Sequence, residues 1–197
     1  MAQLLALALL LAYFALHSVL AADSVKAWFT TRLGTGFRYY RLAYNVLAAV
    51  MLIALLRWMA GWQEEFLFET NVWTNGVAIV LLALGTWFTV GSLLKYDLGE
   101  FIGIQQMKQK NNPPNQSNLN TSGFNAIVRH PLYLGLILLL LGFFFLYPKM
   151  SSLLLLASVL VYLPIGIHLE EKKLRLQFGQ PYLYYEKRVK CLIPGIW

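Results

Sequence analysis

Two short stretches of the chain carry the residue types that could do chemistry. Residues 129–135 read RHPLYLG at the start of a long apolar run, and residues 168–171 read HLEE at the end of another. A membrane anchor needs at most a basic residue at such a position, and it does not need an imidazole, a phenol and two carboxylates. Such a set can hold a cationic ligand, and its members are Arg129, His130, Tyr133, Glu170 and Glu171.

The two adjacent carboxylates need a positive partner. On a helix the side chains of Glu170 and Glu171 point about 100° apart, so the two cannot do the same job. We expect them at the C-terminal end of an apolar helix, where the helix dipole disfavours anions. Arg129 and a bound cation are both candidate partners, and one carboxylate can also meet a basic residue within 172–175. A solvated, charged helix end is the plain alternative.

Tyrosines near these stretches could add to a cation site. Aromatic faces attract sulfonium and ammonium centres, and Tyr133, Tyr182 and Tyr185 are the candidates for that contact. For Tyr184 we favour a place in an interfacial aromatic belt.

Composition places these residues in a membrane protein. The chain has 197 residues, of which 58% are hydrophobic and 13% charged, and a spanning helix needs about 20 apolar residues. The single cysteine excludes an internal disulfide framework, and we expect no metal site. We predict an all-α polytopic fold with five transmembrane helices, at 2–21, 42–62, 72–94, 132–147 and 149–168.

The distribution of charge predicts the orientation of the five helices. All but two of the 16 basic residues, Arg57 and Lys149, fall on one side of a five-span arrangement. The positive-inside rule then places the N-terminus outside and the C-terminus in the cytoplasm. Pro148 lies between the last two helices, which predicts a tight hairpin. The net charge of +7 is explained by topology and anionic lipid headgroups, so no nucleic-acid partner is implied.

The order of the motifs resembles the isoprenylcysteine carboxyl methyltransferase family of integral membrane enzymes. VRHPLYLG is followed by an apolar hairpin with a proline at its turn, then EE-x-x-L-x-x-x-FG-x-x-Y-x-x-Y and a closing I-P, over roughly 119–194. The stretches ALHSVLAADSVKAWF and KYDLGEFIGIQQ are similar to the NnrU-like and methanethiol S-methyltransferase branch. The resemblance implies an S-adenosylmethionine-dependent methyltransferase in one integral membrane domain (1–197), with a three-helix part (1–95) and a cofactor-binding core (96–197).

The resemblance also implies roles for individual residues. Arg129 would lie beside the reacting centre, and Glu171 could assist catalysis. Glu170 would hold the amino group of the cofactor. The other residues expected to bind the cofactor are His130, Pro131, Leu132 and Tyr133 in the motif, Leu119, Asn120 and Asn125 in the preceding loop, Gln106 further upstream, and Tyr182 and Tyr185 near the C-terminus.

Two departures from the family pattern bear on the methyl acceptor. Relatives that methylate prenylcysteine have an aromatic residue where this chain has Asn125, and an arginine where it has Gly166. That arginine would bind the substrate carboxylate, and His168 nearby is a poor replacement. We therefore favour a lipophilic or small acceptor carrying a thiol or carboxyl group, which enters from the bilayer. The protein would work in the cytoplasmic membrane if the source is bacterial.

Two other enzyme classes and a non-catalytic scaffold remain open. An NAD(P)H-dependent reductase of the sterol-reductase type shares an RHP-like region, although such enzymes usually carry a polar residue where Leu132 stands. A haem-binding isomerase of the NnrU-like kind would need axial histidines, for which His17, His130 and His168 are the candidates. A scaffold would not require His130, Tyr133 and Glu170 together.

Overall fold

The computed structural model describes residues 1–94, 104 and 119–195, and all regular structure within them is helical. Gln106 and most of KYDLGEFIGIQQ lie outside these residues. The elements are α1 (Ala2–Ala21), α2 (Asp23–Leu33), a 3₁₀ helix (Gly34–Tyr39), α3 (Tyr40–Ala60), α4 (Val72–Leu93), α5 (Phe124–Ile127), α6 (Pro131–Leu146), α7 (Met150–Phe178) and α8 (Gln180–Arg188).

Each of the five predicted apolar segments is a helix. The bounds agree to within about two residues except in the last segment, where α7 continues to Phe178. Glu170 and Glu171 therefore lie inside α7 and not at its C-terminal end, because the polar sequence after residue 168 still favours helix. The expectation that the helix dipole disfavours them there was wrong, since the dipole acts only within the last turn.

Four helical stretches have the length and apolar composition needed to cross a membrane: Ala2–Ala21, Asp23–Ala60, Val72–Leu93 and Met150–Phe178. Helix α6 is also apolar but has 16 residues, about 24 Å of helix against about 30 Å of hydrocarbon. These helices are those of a multi-pass membrane protein. The count of five spans and their orientation stay predictions.

Local signals fix where the helices begin. The Asn71 side chain accepts hydrogen bonds from the backbone N–H groups of Trp73 (2.9 Å) and Thr74 (3.0 Å), which caps α4. Pro131 occupies the first turn of α6, where its missing N–H leaves no bond unmade. Gly179, with φ of +58°, separates α7 from α8 in a conformation that favours glycine.

Contacts divide the described residues into two compact units. In the first, residues 1–64 and 104, α1 packs on α3 and the Tyr40 hydroxyl donates to the Leu20 carbonyl at 2.9 Å. The His17 ring stacks on Tyr13 and meets the edge of Tyr44, with ring centroids 6.4 and 6.0 Å apart. This unit therefore has its own aromatic contacts between helices.

The second unit comprises residues 65–94 and 119–195, and its main contact is between α4 and α6. A Cβ on Gly85 would lie 2.8 Å from the backbone nitrogen of Leu139, and one on Gly135 would lie 2.4 Å from Thr89 Oγ1. The two helices therefore approach closely because glycines line the contact. Helix α6 also packs on α7 after the short turn 147–149, as the hairpin prediction requires. The division of the chain at residue 95 stays a prediction.

Candidate functional site

Two backbone hydrogen bonds connect the RHP sequence to residues 190–191, near the C-terminus of the chain. The Arg129 N–H donates to the Lys190 carbonyl at 2.8 Å, and the His130 N–H donates to the Cys191 carbonyl at 3.1 Å. His130 then caps α6 and Pro131 begins it. This arrangement fixes the Arg129 and His130 side chains at the N-terminal end of α6.

Arg129 forms a buried ion pair with Glu171. Its Nε and Nη2 donate to Glu171 Oε1 at 2.8 and 2.6 Å, and both side chains are 9% exposed. Its Nη1 donates to the carbonyls of Val189 (2.6 Å) and Glu186 (3.1 Å). Burial opposes the positive charge, but the hydrogen bonds and charge of Glu171 outweigh it, so the pKa of Arg129 is raised. The guanidinium is a fixed cation that makes four hydrogen bonds.

His130 lies between the two carboxylates of α7. Its ring is buried, with Nε2 3.3 Å from Glu171 Oε1 and Nδ1 3.6 Å from Glu170 Oε2. The first distance is that of a hydrogen bond, whereas 3.6 Å is too long for one. The ring also stacks on Tyr133, with centroids 5.5 Å apart and planes 20° apart. His130 thus connects RHPLYLG to both glutamates.

The two glutamates have different surroundings, as their helical positions predict. Glu171 is buried and accepts from several cations, whereas the Glu170 side chain is 43% exposed. Within the described structure, Glu170 Oε2 is nevertheless buried and has no hydrogen-bond donor. A buried carboxylate oxygen without a donor is costly unless something satisfies it. This oxygen is the site's most evident place for a cationic group of a ligand.

The ion pairs continue from Glu171 to α8. Arg175 Nη2 lies 3.3 Å from Glu171 Oε2, and Arg175 Nε donates to Glu186 Oε2 at 3.1 Å. The hydrogen bond and charge of Arg175 lower the pKa of Glu186. We call the whole set the charged cluster; its members are Arg129, His130, Glu170, Glu171, Arg175 and Glu186.

Tyr182 and Tyr185 support the cluster from α8. Tyr182 is 1% exposed, and burial together with the charge of Glu171 raises the pKa of its hydroxyl. The Tyr185 hydroxyl donates to the Asn125 carbonyl at 2.7 Å, and the Asn125 amide donates to the Asn120 carbonyl at 3.1 Å. The segment that begins at Leu119 is therefore attached to α8 through Tyr185.

A cleft of about 470 Å³ opens beside the charged cluster. Its apolar floor comes from Pro164 and Ile167 of α7, and the buried Cys191 adjoins them. Burial, with the charge of Glu171, raises the pKa of the Cys191 thiol to about 11. The remaining lining residues are charged or titratable: Arg129, His168, Glu171, Glu186 and Lys190.

Three buried residues of this region also have the geometry of metal ligands. Ring nitrogen, carboxylate oxygen and sulfur atoms of His130, Glu171 and Cys191 lie within 4.8 Å of one another. Glu171 Oε1, however, already accepts from Arg129 and lies beside His130. A metal ion there would be close to a guanidinium, which the charges disfavour. We therefore interpret the group as part of the charged cluster.

The structure brings most of the predicted site residues together in the second unit. Arg129 and His130 contact Glu171, His130 also lies 3.6 Å from Glu170, and the Tyr133 ring stacks on His130. Pro131 is buried under the same turn and Leu132 follows it, half-buried. Gln106 lies outside the described residues. The sequence did not identify Glu186, Lys190 or Cys191 as site residues. The FG-x-x-Y-x-x-Y stretch was the available signal in the sequence that α8 belongs to the site.

Fold and site together define a helical multi-pass membrane protein with a buried charged cluster beside an open cleft. The chain belongs to the NnrU protein family, whose sequence profile matches residues 4–191. No solved structure matches it significantly.

Curated relatives in several bacteria are similar over nearly the whole chain. Methanethiol S-methyltransferase 1 of Bradyrhizobium diazoefficiens is 31% identical over 195 residues, which covers 94% of this chain and 65% of that protein. The methanethiol S-methyltransferase of Pseudomonas deceptionensis is 29% identical, covering 95% and 71%, and that of Crocosphaera subtropica is 32% identical, covering 95% and 73%. The chain thus spans 71–73% of the length of the Pseudomonas and Crocosphaera proteins and 65%, just under two thirds, of the Bradyrhizobium protein. The resemblance to the methanethiol S-methyltransferase branch is confirmed.

Proposed function

We propose that the protein is an integral membrane methyltransferase that moves a methyl group from S-adenosylmethionine to a small thiol. The observation that carries the proposal is the buried Glu170 Oε2, which has no hydrogen-bond donor among the described residues and lies beside His130 at the mouth of α6. An ammonium group would satisfy this oxygen. The relatives named methanethiol S-methyltransferase support the reaction class.

The charged cluster suits a methyl donor that carries both an ammonium and a sulfonium. Glu170 would hold the ammonium, and the Tyr133 ring, which is half-buried and stacked on His130, would face the sulfonium. His130 is held between two carboxylates, so we assign it the task of orienting Glu170. Arg129 already makes four hydrogen bonds, and we assign it the task of fixing Glu171 beside the reacting centre.

The remaining predicted cofactor residues form the walls of the proposed site. The segment Leu119–Asn125 would cover the donor, and Tyr185 would hold that segment in place through the Asn125 carbonyl. Pro131 and Leu132 would make apolar contact with the donor, and the buried Tyr182 of α8 would pack against the charged cluster. Gln106 remains a proposed contact from the upstream loop.

A small thiol is the acceptor that fits the residues best. A prenylcysteine carboxylate would need an arginine where Gly166 stands, and Arg129 and Arg175 are both committed to carboxylates. The cleft offers an apolar floor at Pro164 and Ile167, which suits an alkyl group. Methyl transfer is an in-line displacement, so the chain's main tasks are to align donor and acceptor and to exclude water.

We further propose that the chain crosses the membrane five times, with α6 as the short fourth span. The N-terminus would lie outside and the C-terminus in the cytoplasm, because the basic residues that follow α7 and precede α6 favour that face. The charged cluster would then meet soluble methyl donor at the cytoplasmic surface.

The decisive test is calorimetric titration of the detergent-purified protein with S-adenosylhomocysteine. We expect saturable binding that Glu170→Gln weakens at least tenfold, about 1.4 kcal/mol, because the neutral amide loses its attraction for the ammonium. Glu69→Gln, an exposed site outside the cluster, is the matched control and should bind as wild type does. The purified protein should also convert methanethiol to dimethyl sulfide with S-adenosylmethionine. A folded wild-type protein without binding would contradict the proposal, and titration with NADPH and haem would then follow.

A further inference from the structure

We infer that His168 is the general base that removes the proton from the acceptor thiol, and that Lys190 stabilises the resulting thiolate. The inference rests on the proposed function, because it assigns the acceptor side of the same site. A thiol must lose its proton before it attacks, since the thiolate is the nucleophile. The cleft must therefore supply a group that can accept a proton near neutral pH.

Most of the titratable groups that line the cleft cannot act as this proton acceptor. Glu171 is held by Arg129, His130 and Arg175, and Glu186 is held by Arg175. Arg129 is a fixed cation, and burial keeps the Cys191 thiol protonated, with a pKa of about 11.

His168 and Lys190 differ from all of these groups. Both are exposed in the cleft, and among the described residues neither side chain has a hydrogen-bond or ion-pair partner. Lys190 is a cation, so it cannot accept a proton but can attract a thiolate. An imidazole can accept one at physiological pH. His168 is thus the free proton acceptor of the cleft.

The position of His168 on α7 also suits the task. It lies one turn before Glu171 and one turn after Pro164, so the three share a face of the helix that borders the cleft. The charged groups that line the cleft with His168 are Glu171 on its own helix, Arg129 before α6, Glu186 on α8, and Lys190 after α8; Cys191 lines it as a neutral thiol.

The chemical step is balanced with a sulfonium methyl donor. A ring nitrogen of His168 takes the thiol proton, and the acceptor sulfur keeps the electron pair beside the Lys190 ammonium. That sulfur forms a bond to the methyl carbon while the bond from this carbon to the donor sulfur breaks. The breaking pair stays on the donor sulfur, which becomes a neutral thioether, and His168 releases its proton to water.

The test is the pH dependence of kcat/KM in His168→Gln. At pH 7 we expect a loss of about a hundredfold, the lower end for a removed general base. The loss should shrink steadily as pH rises, because the thiolate forms without help at high pH. It should also be small for thiophenol, a more acidic thiol. Lys190→Gln should instead lower kcat/KM without this steep pH dependence.

Controls separate a catalytic role from a structural one. Affinity for S-adenosylhomocysteine should stay within twofold of wild type in His168→Gln, and His17→Gln, the same change in the first unit, should keep the wild-type pH profile. In His168→Ala, added imidazole should restore part of the activity, which a structural role would not allow. A loss independent of pH and of thiol acidity, an absent loss, or no imidazole rescue would each overturn the inference. A wild-type protein that fails to bind S-adenosylhomocysteine would instead contradict the proposed function.

Discussion

At the scale of single residues, Glu171 organises the site. Arg129 donates to it twice, Arg175 approaches its other oxygen, and His130 lies 3.3 Å away. A buried ion pair contributes little net stability by itself, but removal of one partner leaves the other charge buried and unpaired. The main role of Glu171 is therefore to neutralise its buried cationic neighbours and to hold them in place.

Loss of the Glu171 charge should destabilise the protein. We expect Glu171→Gln to lower the free energy of unfolding by about 3 kcal/mol, the lower end for a broken buried pair, because Arg129 loses its counter-ion. Thermal unfolding in detergent measures the change. Glu69→Gln should remain within about 0.5 kcal/mol of wild type, as exposed substitutions usually do. Equal stability of the two variants would contradict the role of Glu171.

The Cys191 thiol should be unreactive in the folded protein. Burial raises its pKa from 9.0 to about 11, so the folded thiol stays protonated at pH 7–9 and should react slowly with iodoacetamide. The folded state then holds this proton more tightly than the unfolded chain does. Its contribution to stability is present below pH 9 and is lost as pH rises from 9 to 11.

Whole-protein mass spectrometry measures this alkylation without ambiguity, because Cys191 is the single cysteine of the chain. Protein unfolded in dodecyl sulfate is the control and should be labelled quickly at pH 9. Fast labelling of the folded protein at pH 7 would show that the thiol is accessible or ionised.

The sequence predicted part of this site for a physical reason. RHPLYLG and the two glutamates stand out because charged and polar groups are rare beside apolar runs, and helical geometry predicted that the two glutamates would not do the same job. The partners on α8 were not predicted as partners. Glu186 lies in an ordinary polar stretch, and only folding brings Lys190 and Cys191 against residues 129–130.

At the scale of elements, the close contact between α4 and α6 positions the mouth of α6. Helices in lipid associate through packing and not through the hydrophobic effect, so small residues allow close approach and many contacts. Gly85 and Gly135 lie at this contact, where an added methyl group would meet backbone atoms. The start of α6, which carries His130 and Pro131, depends on that packing.

Addition of one methyl group at this contact should destabilise the protein. Gly85→Ala should lower the thermal unfolding midpoint and weaken the proposed binding of S-adenosylhomocysteine, because the new Cβ would lie 2.8 Å from the Leu139 backbone nitrogen. Gly76→Ala, in the same helix with no atom within 4 Å, is the matched control. It should be neutral or stabilising by up to about 1 kcal/mol. Similar midpoints for the two variants would contradict this account of the contact.

Apolar runs predicted the long helices well, because length and composition suffice for a helix in lipid. They did not predict α2 or α8. Helix α2 carries a mixed polar sequence, with Trp28 under the Arg32 guanidinium at 4.9 Å. Helix α8 has nine residues and needs its packing against α7. Short polar helices depend on tertiary contacts that periodicity does not reveal.

At the scale of the whole molecule, the proposed topology can be tested by accessibility of introduced thiols. In a Cys191→Ser background, Glu69→Cys should react with an impermeant maleimide in intact cells, because residue 69 would face outward. Lys187→Cys should react only after the membrane is opened. Both positions are exposed, so the difference reports the side of the membrane. The reverse pattern would overturn the proposed orientation.

The pairing of residues 129–130 with 190–191 also has a consequence for biosynthesis. The backbone N–H and the Nη1 atom of Arg129 find their acceptors in residues 186–190, which are translated after α4–α7 of this unit. While α6 and α7 enter the membrane, Arg129 therefore lacks these acceptors and Arg175 lacks Glu186. Assembly of the charged cluster is thus delayed until residue 191 has left the ribosome, so that a stalled or shortened chain can insert its helices and still lack a complete cluster.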